Sequence, residues 1–220
     1  MTLATIELCP AGDAHAALVI LHGLGADGAD FIPICDALDL KRHGPVRCIM
    51  PRAPERAVTI NRGMRMRAWY DIRGEDLRDR EDEAGLRASV RDVHALIARE
   101  VARGVAARRI VLAGFSQGCA LTLLAGLRYP ERLAGLAGLS GYLPLAQTTA
   151  AERTSANRDV PIFLAHGRDD GVVPIARGSA SRDALVALGH DVEWHDYAIE
   201  HSVCIEEVKE LDAWLQRVWA

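Results

Sequence analysis

Apolar and polar positions follow two rhythms along this chain, and the rhythm switches at short intervals. Residues 3–8 alternate weakly and predict an edge strand. Ala16–Leu21 is a continuous apolar run, as expected of a strand buried on both faces. A helix carrying Phe31, Ile34 and Leu38 is predicted next, then a strand from Val46 to Met50 closed by Pro51. Residues 83–103 place Leu86, Val90, Val93, Leu96, Ile97 and Val101 at helical spacing. A short Ile- and Val-rich run then leads to Ala113, and a helix pattern runs from Cys119 to Leu127, ending before Pro130. Leu133–Leu139 and Pro161–Ala165 predict strands, 176–188 a helix, and Val192–Tyr197 the last strand. The final helix, 204–219, sets Ile205, Val208, Leu211, Leu215 and Val218 on one stripe.

Two stretches break the rhythm. Residues 51–80 are punctuated by Pro51, Pro54, Gly63 and Gly74 and are dense in arginine; they predict loops with a hairpin around Met64–Trp69. Residues 146–158 are polar and rich in Ala, Thr and Ser, which predicts an exposed connection or a short helix. Elsewhere strands alternate with helices from residue 16 onward, with no internal repeat and no linker. The prediction is one α/β domain over 1–220, a mostly parallel sheet with helices on both faces. No insertion is long enough to build a large cap domain, so an open, shallow pocket is expected. In such sheets the chemistry sits at the carboxyl ends of the strands.

That rule selects the candidates. The run Ile110–Ala113 turns through Gly114-Phe115-Ser116-Gln117-Gly118 into a helix, a nucleophile elbow. A Cβ at either flanking glycine would meet neighbouring backbone, and the serine hydroxyl is left exposed at a helix N-terminus that favours negative charge. A serine needs a base, and the base needs an orienting acid. His201 follows the last strand and precedes the last helix. His195 lies mid-strand, facing a sheet surface, and His15, His43, His94 and His190 are expected to be solvated. Asp169 and Asp170 both leave the preceding strand end and both qualify as the acid. The oxyanion requires donors. The Gln117 backbone N–H is one. The loop His22-Gly23-Leu24-Gly25, after an early strand, offers the Leu24 N–H as the other.

Composition narrows the class. Half the residues are apolar and a quarter charged, ordinary for a globular protein, and a net charge of −4 gives no whole-protein footprint for nucleic acid. No apolar run reaches the ~18 residues of a membrane span, so no stable membrane insertion is expected, and no signal peptide is evident. Five scattered cysteines without a C-x-x-C motif read as reduced thiols of a cytoplasmic protein. No metal is called for: the sequence has no His-x-x-x-His on a helix, and Asp169-Asp170 alone makes a poor site. No cofactor is expected.

The chain resembles the carboxylesterase and acyl-protein thioesterase (lysophospholipase-like) family of small α/β-hydrolases. The resemblance rests on Leu21-His22-Gly23-Leu24-Gly25-Ala26-Asp27, Met50-Pro51-Arg52-Ala53-Pro54, Trp69-Tyr70-Asp71, Gly114–Gly118, Leu139-Ser140-Gly141-Tyr142-Leu143-Pro144, and His166-Gly167 with Asp170, in family order. It implies the α/β-hydrolase fold and a serine hydrolase of carboxylic (thio)esters with short to medium acyl chains. Lysophospholipase or acyl-protein thioesterase activity is the alternative. It also implies a small-molecule or lipid ester substrate, a homodimer, a triad of Ser116, Asp170 and His201, and oxyanion donors at Leu24 and Gln117. The family spacing from His166-Gly167 favours Asp170 over Asp169. Cys119 and Glu200 depart from the family pattern, where glycines are usual, and the segment 61–68 is more basic.

Met64, Met66 and Trp69 are apolar residues on an otherwise polar stretch, so this segment is expected to fold over the site as an acyl-binding wall. Arg65 and Arg67 would then face outward at its mouth. Two rival readings follow from the same residues. Gly23-x-Gly25-x-x-Gly28 matches the dinucleotide fingerprint of an oxidoreductase, but a helix opening there would hold Pro33 inside it. A hydrolase fold used only for binding is the other rival, and it would be expected to lack a triad member.

Overall fold

The computed structural model describes residues 3–10, 12–74 and 81–220. Nine strands are found among them. Seven form one sheet: β1 (Thr5–Leu8), β2 (Ala16–Leu21), β3 (Val46–Pro51), β6 (Ile110–Phe115), β7 (Gly135–Leu139), β8 (Ile162–Gly167) and β9 (Val192–Tyr197). β4 (Glu55–Val58) and β5 (Met64–Arg67) make a separate antiparallel hairpin. The six α-helices are α1 (Ile32–Ala37), α2 (Glu83–Ala102), α3 (Gln117–Arg128), α4 (Ala146–Glu152), α5 (Ile175–Ala187) and α6 (Ile205–Val218).

The sheet order is β1-β3-β2-β6-β7-β8-β9. Only β1 runs antiparallel to its neighbour. The chain moves from β2 outward to β3, then returns to the other side of β2 to lay down β6. The loops leaving β2 and β6 therefore part company at a switch point, which opens a crevice between them. Leu21 pairs with Gly114 at that edge.

Period-two alternation divides the core. On β2, Ala17, Val19 and Leu21 join the layer under α2 and α3, with Leu86, Val93, Leu121 and Leu124. Ala16, Leu18 and Ile20 join the opposite layer with Phe31 and Cys35, and with Val208, Leu211 and Trp214 of α6. Successive side chains of a strand point to opposite faces, so a strand clad on both sides must be apolar throughout. This is why the central strands read as unbroken apolar runs.

The structure corrects three details. The 146–158 stretch holds a short helix, α4, as one of its two readings expects, but it is not simply exposed. Asn157 is fully buried, its Oδ1 accepting from Leu133 N at 3.0 Å and its Nδ2 donating to the carbonyls of Tyr129 and Glu131, both at 2.8 Å. A polar side chain here serves buried backbone, which composition does not reveal. His190 is 4% exposed, not solvated. The hairpin spans Glu55–Arg67, so Trp69 lies beyond it.

One buried acid shapes stability. Glu207, in the first turn of α6, is 1% exposed, and burial pushes its carboxyl up to about 7 against the pull of the Cys204 backbone N–H. The folded chain thus binds this proton more tightly than the unfolded chain, whose carboxyl titrates near 4.5. The contribution is fully present below the unfolded value and is lost as pH rises through the folded value. Glu207→Gln is expected to match the parent near pH 4 and to exceed it near pH 8 by on the order of 3 kcal/mol. Urea midpoints at the two pH values, with unchanged slope, measure the difference.

Candidate active site

Ser116 sits between β6 and α3 with φ 56° and ψ −117°, a strained conformation for a non-glycine residue. The flanking glycines make the turn possible. A Cβ on Gly114 would stand 2.4 Å from the Gly118 carbonyl, and one on Gly118 would stand 2.0 Å from Leu21 O. Gly118 thus lets the start of α3 close onto the end of β2.

His201 Nε2 lies 2.9 Å from Ser116 Oγ, and His201 Nδ1 lies 2.7 Å from Asp170 Oδ2. The Phe115 side chain adds support: its ring centroid sits 4.7 Å from that of the imidazole. The Asp170 side chain is fully buried, and its Oδ1 accepts from the backbone N–H groups of Val172 and Val173, both at 2.8 Å. With Oδ1 so occupied, Oδ2 is left for the imidazole. Asp169 is exposed and its backbone N–H donates to Ile199 O at 3.1 Å. Gly167 brings the two loops together, since a Cβ there would stand 2.4 Å from Glu200 O and 2.5 Å from Ile199 O. Glu200 itself is exposed, so its side chain does not disturb this approach.

The loop after β2 comes against the serine. A Cβ on Gly23 would stand 3.4 Å from Ser116 Cβ. Ala26 N donates to Gly23 O at 3.3 Å, with Gly25 at φ +74°, so Leu24 sits at the tip of a tight turn. The hairpin holds this turn in place. Arg67 O accepts from Gly25 N at 2.8 Å, and the Arg67 guanidinium reaches Asp27 at 3.2 Å. Arg52 reaches the same carboxylate at 3.0 Å. The Ala29 backbone N–H and these arginines hold Asp27 below the usual carboxylate range.

Beneath the loop lies a buried polar layer that sequence reading missed. His22 is fully buried; its Nδ1–H donates to Gly23 O at 2.7 Å and its Nε2 accepts from Ala53 N at 3.0 Å. Burial pushes the imidazole down, so it stays neutral and keeps this donor–acceptor pattern. Gln117 Oε1 accepts from Trp69 N at 2.7 Å, and its Nε2 donates to Tyr70 O at 2.8 Å. Trp69 Nε1 donates to His22 O at 2.9 Å. The signal available was a histidine ending each of two buried strands, in His22-Gly23 and His166-Gly167.

The expected substrate wall is reached only in part. Trp69 is 0% exposed and packs against His22 with the rings tilted and their centroids 5.2 Å apart, so it braces the oxyanion-side loop from below and lines no open surface. Met66 is half-buried, its sulfur 3.6 Å from where a Gly25 Cβ would stand. Met64 is 64% exposed on the hairpin. Arg67 is engaged by Asp27 and the Ala53 carbonyl, not free at a mouth, while Arg65 is exposed and donates to Glu55 O at 3.1 Å.

Two chemical rivals lose ground. Cys119 is buried with its sulfur packed where Gly138 lacks a side chain, and burial pushes its thiol up to about 12. It holds too little thiolate near neutral pH to compete as a nucleophile. The glycines of 23–28 serve a turn and a close approach: a Cβ on Gly28 would stand 2.7 Å from Met50 O, and α1 begins only at Ile32, with Pro33 in its first turn. Among the described residues, Glu193, His195 and Glu210 bring carboxylate and imidazole atoms within 4.8 Å of one another. Glu193 already pairs with His195 and Arg217 there.

A serine at a strained strand-to-helix turn, in a seven-stranded mostly parallel sheet, defines an α/β-hydrolase. The chain belongs to the phospholipase/carboxylesterase family, whose model matches residues 3–219. It is 40% identical over 213 residues to acyl-protein thioesterase 1 of Yarrowia lipolytica, covering 94% of each chain. It is 42% identical over 174 residues to acyl-protein thioesterase 1 of Schizosaccharomyces pombe, covering 79% of this chain and 77% of that one. Zea mays acyl-protein thioesterase 2 has a similar structure, with a TM-score of 0.86 at 31% identity over 99% of both chains. The protein is a carboxylic ester hydrolase.

Proposed function

We propose that the chain cleaves carboxylic thioesters and oxyesters of short to medium acyl chains through an acyl-enzyme on Ser116. The observation that carries the reading is the hydrogen-bonded line from Ser116 through His201 to the buried Asp170, at 2.9 and 2.7 Å. Ser116 Oγ attacks the carbonyl while His201 Nε2 takes its proton. Asp170 holds the Nδ1–H and favours the imidazolium that forms. The backbone N–H groups of Leu24 and Gln117 receive the oxyanion. His201 then returns the proton to the departing thiolate or alkoxide, and water repeats the sequence to free the acid.

The hairpin provides the acyl-side edge. Met66 beside Gly25 and the exposed Met64 offer adaptable apolar surface next to the oxyanion loop. The five cysteines of the chain are all free, which fits a reducing, cytoplasmic compartment. Among the described residues no helix is long and apolar enough to cross a membrane.

The relatives' name points to S-acyl cysteines of proteins as the leaving-group class. The test pairs one peptide acylated on cysteine with the same peptide acylated on serine, using matched chains. Faster release from the thioester supports an acyl-protein thioesterase. Equal or faster release from the oxyester supports the general carboxylesterase. No release from either, with a small activated ester still cleaved, removes the peptide substrate.

A further inference from the structure

Asp170 is braced from a second side. His166 is the penultimate residue of β8 and is buried. Its Nε2 lies 2.7 Å from Val173 O and 3.5 Å from Asp170 Oδ2. A carbonyl can only accept, so Nε2 carries the proton. Val173 N in turn donates to Asp170 Oδ1 at 2.8 Å. The imidazole, the Val173 peptide and the carboxylate thus close a small ring around the acid.

The ring of His166 is itself fixed. A Cβ on Gly178 would stand 2.4 Å from its Nδ1, so α5 closes directly onto it. Trp194 of β9 stacks beside it at 6.2 Å and 20°, with Arg182 over the indole at 5.0 Å. The titratable groups acting on it are Asp170 and His201, and burial pushes the imidazole down. It therefore stays neutral and presents one fixed donor.

We propose that His166 is a positioning residue for the reaction, holding the Val173 carbonyl and facing Asp170 so that Oδ2 stays aimed at His201 Nδ1. This deepens the reading of Ser116, His201 and Asp170 and rests on it. Loss of the donor would let the carboxylate turn. His201 would then be a poorer base, at little cost to substrate binding. A buried histidine that merely fills space would show no such pattern.

Two variants isolate the donor. His166→Gln keeps an N–H near the Nε2 position, and His166→Asn falls short by one methylene. The measurements are kcat and KM against pH, normalised by active-site titration with a fluorophosphonate, and the low-field proton resonance of the His201–Asp170 hydrogen bond. H166N is expected to lose about 10²-fold in kcat with KM little changed. The acid limb of its kcat/KM profile and the low-field resonance both shift, and H166Q restores them. Parent-like profile shape and resonance in H166N, or identical defects in both variants, would overturn the proposal. Should H166N not fold, His166→Met, which fills the space without a donor, takes its place with the same outcomes. Undiminished turnover in Asp170→Asn would instead remove the underlying site reading, whatever His166 does.

Discussion

Ser116→Ala is expected to lower turnover of an activated short-chain ester by on the order of 10⁴–10⁶-fold, with the fold intact. The size follows from the geometry. Ser116 Oγ donates to His201 Nε2 at 2.9 Å, and its removal leaves only the oxyanion donors and binding to assist water. The fold should hold, because alanine keeps the Cβ and the backbone of the turn at φ 56° and removes only the hydroxyl. Thermal unfolding beside steady-state kinetics checks both halves. Turnover within tenfold of the parent would mean that another residue is the nucleophile.

Asp170→Asn is expected to cost on the order of 10⁴-fold in turnover, and Asp169→Asn far less. Asp170 is fully buried, with Oδ1 taken by two backbone N–H groups and Oδ2 by His201. An asparagine there can keep one acceptor. If that oxygen faces Val172 and Val173, its NH₂ meets His201 Nδ1 and forces the wrong tautomer, with Nε2 protonated and unable to act as a base. Asp169 points to solvent and contributes through its backbone to Ile199 O. Parallel kinetics on the two variants decide between them, and a crippling Asp169→Asn with a benign Asp170→Asn would shift the strand-end register by one residue.

What could be read in the sequence was what local rules control. The elbow was legible because its glycines, its serine and the strand before it are contiguous, and steric demand at Gly114 and Gly118 is a backbone property. The mostly parallel sheet was legible because strands buried on both faces leave unbroken apolar runs, as in Ala16–Leu21. The choice of Asp170 needed the family spacing, since Asp169 and Asp170 share one strand end and differ only in which side chain turns inward. Trp69 was misplaced for a different reason. Its burial is set by His22 and Gln117, 47 and 48 residues away in sequence. Nothing within 51–80 signals those partners. The same holds for Arg67, whose role depends on Asp27 and the Gly25 turn, and for Asn157, which serves the backbone of 129–133. Long-range hydrogen bonds to main chain leave little trace in composition or periodicity.

The most direct test of the account is to trap the acyl group. A slowly hydrolysed activated ester is mixed with the protein, the reaction is stopped with acid in the first turnovers, and the intact mass and peptide map are recorded. One acyl group per chain is expected, on the peptide containing Ser116, absent from Ser116→Ala and abolished by prior fluorophosphonate labelling. An acyl group on a cysteine peptide, or full turnover with no covalent adduct at Ser116, would contradict it.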